Sequence, residues 1–158
     1  SGSMKLLVRG EILQRRANHI PKELKLQHWT IRVRGARLEV FLVDMDANPF
    51  YNRKRALTML HDQITRAGDA PVIVMGDFNT PLESVHYADL RQDLTPAEPN
   101  GFRETWPFGL PVLSLDQVWL GNGATALGCA KQSRRRSDHA ALFVDVQITR
   151  QEEGENHD

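Results

Sequence analysis

The chain's apolar and polar positions change rhythm several times, and each rhythm predicts an element. Residues 5–16 start apolar, break at Gly10 and resume at Ile12–Leu13 before an Arg pair, which reads as strand-like. Residues 18–22 form a turn around Pro21. Residues 29–34 then alternate strictly, Trp29, Ile31 and Val33 against Thr30, Arg32 and Arg34, the period of a half-buried strand. Gly35–Ala36 supplies a turn, and residues 37–43 read as the partner strand of a hairpin. After a loop at residues 46–49 the spacing lengthens: Leu57, Leu60, Ile64 and Ala67 recur at helical intervals, with Asn52 as N-cap and Gly68 as stop. Val72 to Met75, following Pro71, is a continuous apolar run of the kind found in a strand covered on both faces. Beyond it the pattern predicts a short helix within residues 84–94, an irregular Pro- and Gly-rich segment over 95–111, a strand over 113–120, a turn at 121–123, a weak strand over 126–131 and a last strand over 140–148. Strand, helix and buried strand in succession predict an α/β layered fold.

Composition narrows this picture without specifying a partner. The 158 residues fit one domain, and 41% hydrophobic content is enough for a sizeable core. Formal net charge is zero, so no global basic field points to nucleic acid. The single cysteine, Cys129, cannot form an intrachain disulfide, which fits a reducing compartment and slightly favours the cytoplasm while leaving localisation undetermined. No apolar run reaches the roughly 20 residues that span a bilayer, although an upstream anchor is left open. Residues 1–3 read as a cloning scar, residues 4–149 as a partial domain, and residues 150–158 as an acidic tail.

The chemistry lies at the strand ends. Asp77 and Asn79 follow the buried run directly, at the edge where open α/β sheets bind ligands. A carboxylate there can hold a hard cation or orient a water; the bland reading is an Asx turn closing the strand. Asp116 interrupts an otherwise apolar strand, which is costly unless it is paired, whether with His139 or with a buried Lys or Arg. Asp138–His139 precede the final strand. If that strand neighbours the one bearing Asp116, the carboxylate could fix the imidazole's tautomer and raise its basicity; otherwise Asp138 is a turn residue and His139 structural. Arg134, Arg135 and Arg136 are either a clamp on substrate phosphates or a solvated loop. Trp106 either stacks on a base or anchors a loop. Arg53 and Arg55 open the helix on its solvated face, and His28, His61 and His86 show no ligand spacing and read as surface or structural residues.

Three segments taken together resemble the endonuclease/exonuclease/phosphatase superfamily. Residues 74–80, reading Val-Met-Gly-Asp-Phe-Asn-Thr, resemble its Gly-Asp-Phe-Asn motif; residues 114–118, Ser-Leu-Asp-Gln-Val, resemble its Asp-bearing strand; residues 137–139 match its Ser-Asp-His motif. Residues 105–107, Thr-Trp-Pro, resemble a segment some members carry just before the Asp strand. The resemblance implies a partial α/β sandwich, a mixed β-sheet flanked by helices. It implies a metal-dependent phosphoesterase in which an activated water attacks phosphate, with Mg²⁺ or Mn²⁺ as cofactor and a phosphoester, including nucleic acid, as substrate. By position, Asp77 would bind the metal or orient the water, Asn79 would contact the scissile phosphate, and Asp116 would hold His139. Asp138 would be a metal ligand, and His139 the base or the partner of the transition-state oxygen.

The resemblance also has departures. Family members carry a first half, about 100 residues on typical domain length, supplying an Asn and a metal-binding Glu that have no counterpart here. Asp44 stands in Val43–Asp44–Met45–Asp46 where members usually carry a His, and an ionised carboxylate cannot donate to a phosphate. The alternative function is therefore a catalytically inactive binding or assembly module that keeps the fold. Half a sandwich also leaves an apolar sheet face, predicting either a homodimer through that face or its repacking.

Overall fold

The computed structural model describes residues 4–20, 22–133 and 137–149. Among the described residues, eight strands and two α-helices follow in the order β1 (Glu11–Ile20), β2 (Leu24–Val33), β3 (Ala36–Met45), α1 (Arg53–Arg66), β4 (Val72–Asp77), α2 (Leu90–Asp93), β5 (Thr95–Pro96), β6 (Asp116–Gly121), β7 (Ala124–Gln132) and β8 (Ala141–Ile148), with a 3-10 turn at Val85–Tyr87 before α2. The short helix expected within residues 84–94 is therefore two pieces, a 3-10 turn and a four-residue α2. The hairpin reverses one residue earlier than expected. Arg34 and Gly35 both take positive φ (50° and 81°), the pairing a two-residue turn between right-twisted strands requires.

Six strands make one mixed sheet ordered β1-β2-β3-β4-β6-β5. The β1, β2, β3 meander is antiparallel, β3 and β4 are parallel across the α1 crossover, and β6 runs antiparallel to β4. Helix α1 begins where Asn52 accepts the backbone N–H of Arg55 at 3.2 Å. It buries Ala56, Leu57, Leu60 and Ile64, the stripe its spacing predicted. That stripe packs with Phe41, Val43, Met45, Val72, Val74, Tyr87 and Trp119 on one face of the sheet.

The opposite face is formed by the alternate positions. Ile31, Leu38, Val40 and Leu42 carry Met4, Leu6 and Val8 over them, while Val118 and Leu120 pack against Leu142, Val144, Val146 and Ile148. Strand β8 pairs with β7 in a separate two-stranded sheet and is not a ladder neighbour of β6. The reason lies in β8's own alternation: Leu142, Val144, Val146 and Ile148 are half-buried, and Ala141, Phe143, Asp145 and Gln147 are exposed. A strand with one apolar side lies face-on against a sheet more readily than beside it. The apolar face is thus partly repacked within the chain by residues 4–8 and by the β7–β8 hairpin.

A polar network is embedded on the helix side. Glu39 is 1% exposed and accepts hydrogen bonds from Thr30 Oγ1 at 2.8 Å and from both Nε and a terminal nitrogen of Arg37, at 3.0 and 2.9 Å. His28 Nε2 lies 2.6 Å from Oε2, the oxygen Thr30 also uses while Arg37 takes Oε1, and the imidazole stacks on Phe41 with centroids 4.2 Å apart. Burial works to raise the Glu39 pKa, but His28, Thr30 and Arg37 outweigh it and hold it below the ordinary 4.5. As pH falls the unfolded chain therefore takes up this proton first. The stability Glu39 contributes is complete above about pH 4.5 and is lost as pH falls through its folded pKa. Glu39→Gln should cost about 2–3 kcal/mol at pH 7 by leaving buried donors unmatched. In urea unfolding, the gap between variant and wild type should narrow on acidification; a gap that does not change with pH would rule out this carboxylate as its source.

Candidate active site

The site is assembled where β4 ends. Gly76 takes φ +145°, and a Cβ there would collide with the carbonyl oxygen of Val43 on the neighbouring strand. Only glycine allows β4 to run that close to β3 and still deliver Asp77 to the rim. Asp77 Oδ1 accepts the backbone N–H of Asn79 at 2.9 Å, so the Asx turn is present and fixes the carboxylate. Asn79, at φ +43°, donates its side-chain amide to Met45 O at 2.7 Å and to Asp77 Oδ2 at 3.0 Å. Between them Phe78 is fully buried and donates its backbone N–H to Leu115 O, anchoring the turn in the core.

Strand register places the acidic groups in a row. Asp44 is the cross-strand partner of Asp77, and Asp77 of Asp116. On the far side of β3, Asp44 faces Lys25 of β2. All four belong to the alternate set that faces away from α1, so their side chains emerge on one face. Lys25 Nζ donates to Asp44 Oδ2 at 2.7 Å. At the other end His139 Nδ1 lies 2.7 Å from Asp116 Oδ2, with both side chains about one quarter exposed. Asp44, Asp77 and Asp116 line a cleft of about 440 Å³ whose remaining wall includes Leu42, Met75, Val118 and Leu142.

The Asp116–His139 contact forms although β6 and β8 are not ladder neighbours. His139 arrives on the loop before β8, and Thr105 ties the two together. Thr105, 1% exposed, accepts at Oγ1 the backbone N–H groups of Leu115 and Asp116, each at 3.1 Å, and its carbonyl accepts Ala140 N–H at 2.9 Å. Ser137 Oγ accepts the backbone N–H of His139 at 3.1 Å. Neither role was read from the sequence. In the sequence Thr105 is legible only as part of the 105–107 segment, and Ser137 only as a letter of its motif.

Burial disfavours the His139 imidazolium, but the hydrogen bond and charge of Asp116, followed by the charges of Asp77 and Asp138, raise its pKa above 6.5. Asp77 shifts upward as well. Burial is the largest cause, opposed by the Asn79 N–H and reinforced by the charges of Asp116 and Asp44.

Asp138 accepts a long 3.4 Å hydrogen bond from Trp106 Nε1 at the exposed edge. The compact donor group is Asp77, Asp116 and His139, whose ligand atoms lie within 4.8 Å of one another; Asp138 is not part of it. Arg53 departs from its expected place on a solvated face. It is buried and donates to Asp46 O at 2.7 Å and Asn48 O at 3.0 Å, bracing the loop after β3. His28 is structural, as read, within the Glu39 network, and His61 pairs with Asp93 at 2.8 Å. Arg134, Arg135 and Arg136 lie outside the described residues.

Residues 6–139 match the model of the Endonuclease/Exonuclease/phosphatase family. The chain belongs to that family. Its fold is shared with a D. rerio TDP2 humanized by 14 mutations (TM-score 0.75, 16% identity, 89% of this chain and 68% of that one). It is shared also with an endonuclease/exonuclease/phosphatase from Bacteroides vulgatus (TM-score 0.72, 15% identity, 88% and 66%). A third likeness is the human Nocturnin catalytic domain with bound sulfate anion (TM-score 0.69, 18% identity, 89% and 60%). The chain thus spans about two thirds of the length of these structures. No curated protein matches the sequence.

Members of this family are generally dependent on a divalent metal, and the donors present fit one. Two carboxylates held together against their mutual repulsion, one of them with a raised pKa, are a site that a hard cation would relieve. The Asp116–His139 pair can be tested without substrate. Asp116→Asn removes the two largest interactions that raise the His139 pKa and leaves burial opposed by the charges of Asp77 and Asp138, so the pKa should drop in an NMR titration of the imidazole. An unchanged titration would mean that the pair does not persist in solution.

Proposed function

We propose that this chain is a phosphoester hydrolase, cleaving phosphodiesters by attack of an activated water with Mg²⁺ or Mn²⁺ bound at the Asp77–Asp116 rim. The observation that carries this reading is the 2.7 Å Asp116–His139 contact in the same carboxylate row as Asp77. A bound divalent ion would polarise the phosphate and offset the charge of the row. The chain's own residues do the rest. Asp116 accepts from Nδ1 of His139 and so leaves Nε2 as the proton acceptor of the neutral ring, the atom that takes a proton from water. Asp77, fixed by the Asn79 backbone, orients that water or holds the ion. Asn79 positions Asp77 through its amide, and contacts the scissile phosphate once substrate takes over that amide's bond to Asp77. Asp138 raises the basicity of His139 from the exposed side and, although outside the compact donor group, would offer an outer oxygen donor to a bound ion.

Bis(4-nitrophenyl) phosphate with Mg²⁺ or Mn²⁺ tests the proposal directly. Hydrolysis should vanish with a chelator, and Asp77→Ala, Asp116→Ala and His139→Ala should each lose about 100-fold or more, the scale of a lost acid–base group. A wild-type protein that stays silent with both metals would sink it. The second reading, an inactive binding or assembly module, is favoured by Asp44, a third carboxylate where the family usually offers a donor. Titration calorimetry separates the two, because an inactive module shows no heat with millimolar Mg²⁺ or Mn²⁺.

A further inference from the structure

The segment that ties Asp116 to the His139 loop continues into a tip that neither the core nor the candidate site uses. Residues 107–112 read Pro-Phe-Gly-Leu-Pro-Val, with no charged and no hydrogen-bonding side chain. Phe108, Leu110 and Val112 are 49%, 76% and 58% exposed. Single exposed apolar residues are ordinary on a protein surface; three at alternate positions of one uncharged tip are not. The tip is closed at its base by backbone bonds. Leu113 O accepts the Thr105 and Trp106 N–H groups at 2.7 and 3.0 Å, and Trp106 O accepts those of Val112 and Leu113 at 2.9 and 3.0 Å. That base is also the part of the chain that holds the candidate site. Thr105 bonds Asp116 and Ala140, and Trp106 Nε1 donates to Asp138.

We propose that residues 107–112 are a docking tip for a lipid surface, entering its interfacial layer with the candidate site at the tip's base. The inference stands apart from the phosphodiesterase reading, because it concerns where the chain sits and not what it cleaves. Size favours a lipid layer over a protein partner. A standard protein interface takes roughly 20–30 residues a side and a polar rim of hydrogen bonds. Six residues without a polar side chain supply neither the area nor the rim. A fluid apolar phase asks for no directional partner, only for apolar surface to be removed from water. The backbone points the same way. A tip entering such a phase strips water from its peptide groups, and each unpaired N–H adds to the cost. Pro107 and Pro111 have no N–H to lose, and Val112 gives its own to Trp106 O. With no charge on the tip, a zwitterionic lipid suffices.

Cosedimentation with phosphatidylcholine vesicles tests the proposal. Wild type should partition onto them reversibly, at most on the order of a single buried acyl chain, about 10⁴ M⁻¹. Phe108→Ser and Leu110→Ser should each weaken partition about tenfold, the scale of one lost apolar side chain, and the double variant should stay in the supernatant. Ile12→Ser is the control. Ile12 is as exposed as Phe108 but lies on β1, four strands from β6 in the sheet order, and its loss should leave partition within twofold. Raising salt from about 0.1 M to about 0.5 M should also leave it within twofold, since no charge takes part. Wild type that stays in solution at millimolar lipid, partition that the tip variants do not change, or partition lost in high salt overturns the proposal. A dimer in lipid-free sedimentation velocity that Leu110→Ser disperses assigns the tip to a second copy of the chain and overturns it as well.

Discussion

Everything at the functional end of this protein depends on three carboxylates being held side by side. The register of β3, β4 and β6 places Asp44, Asp77 and Asp116 on consecutive strands in one row. Strands lie about 4.8 Å apart, so like charges in such a row repel. The structure answers with a donor at each end, the Lys25 ammonium on Asp44 and the His139 imidazole on Asp116, each at 2.7 Å. Among the described residues, the middle carboxylate, Asp77, makes no ion pair. Its compensation is the Asn79 backbone N–H and amide, and burial, reinforced by the charges of Asp116 and Asp44, raises its pKa. On the proposed metal-dependent reading, such residual frustration is what a divalent ion would relieve, because a fully neutralised row would have nothing to offer it.

Holding that row costs the fold elsewhere. Gly76 gives up its side chain so that β4 can press against Val43. Phe78 is driven into the core with Tyr87 and Trp119, and Tyr87 Oη and Gln117 Nε2 both donate to Thr80 O, at 3.0 and 2.8 Å. The turn that presents Asp77 is therefore pinned from below by buried aromatics and from the side by satisfied polar groups. This is the usual condition for a carboxylate to keep one orientation near solvent. Thr105 does the same for the Asp116–His139 pair, and it does so across two sheets.

Part of this was legible in the sequence and part was not, for definable reasons. The buried run at residues 72–75 announced its strand, and Asp77 followed it at the rim; a short-range pattern sufficed because a strand end and a turn are local. Asn52 and the 57-60-64 stripe gave α1 its limits for the same reason. The Asp116–His139 pairing came from an unpaired carboxylate in an apolar strand, an argument about cost, and the contact exists even though the two strands do not share a ladder. What escaped is long-range. Nothing in the residues near Lys25 tells that it will meet Asp44, because that depends on the register of β2 on β3, which a one-residue slip would reverse. Arg53 looked like a solvated first-turn residue, yet carbonyls of the loop after β3 arrive to use it. A threonine such as Thr105 carries no signal at all until its two donors are in place.

The placement of β7 and β8 bears on how such a chain maintains itself. Its six-stranded sheet has α1 on one face, and the other face is served by residues 4–8 and a two-stranded hairpin. That hairpin delivers His139 to the row, so the element that covers the apolar face is also the one that completes the candidate site. Packing and chemistry are in this way coupled. Loss of Leu142, Val144 or Val146 contacts would loosen the loop that positions the imidazole as well as expose the sheet. The coupling runs through Thr105, whose carbonyl holds Ala140 while its hydroxyl holds Asp116. A disturbance on either side of that threonine is passed to the other by hydrogen bonds of about 3 Å, within the range where geometry is strictly kept.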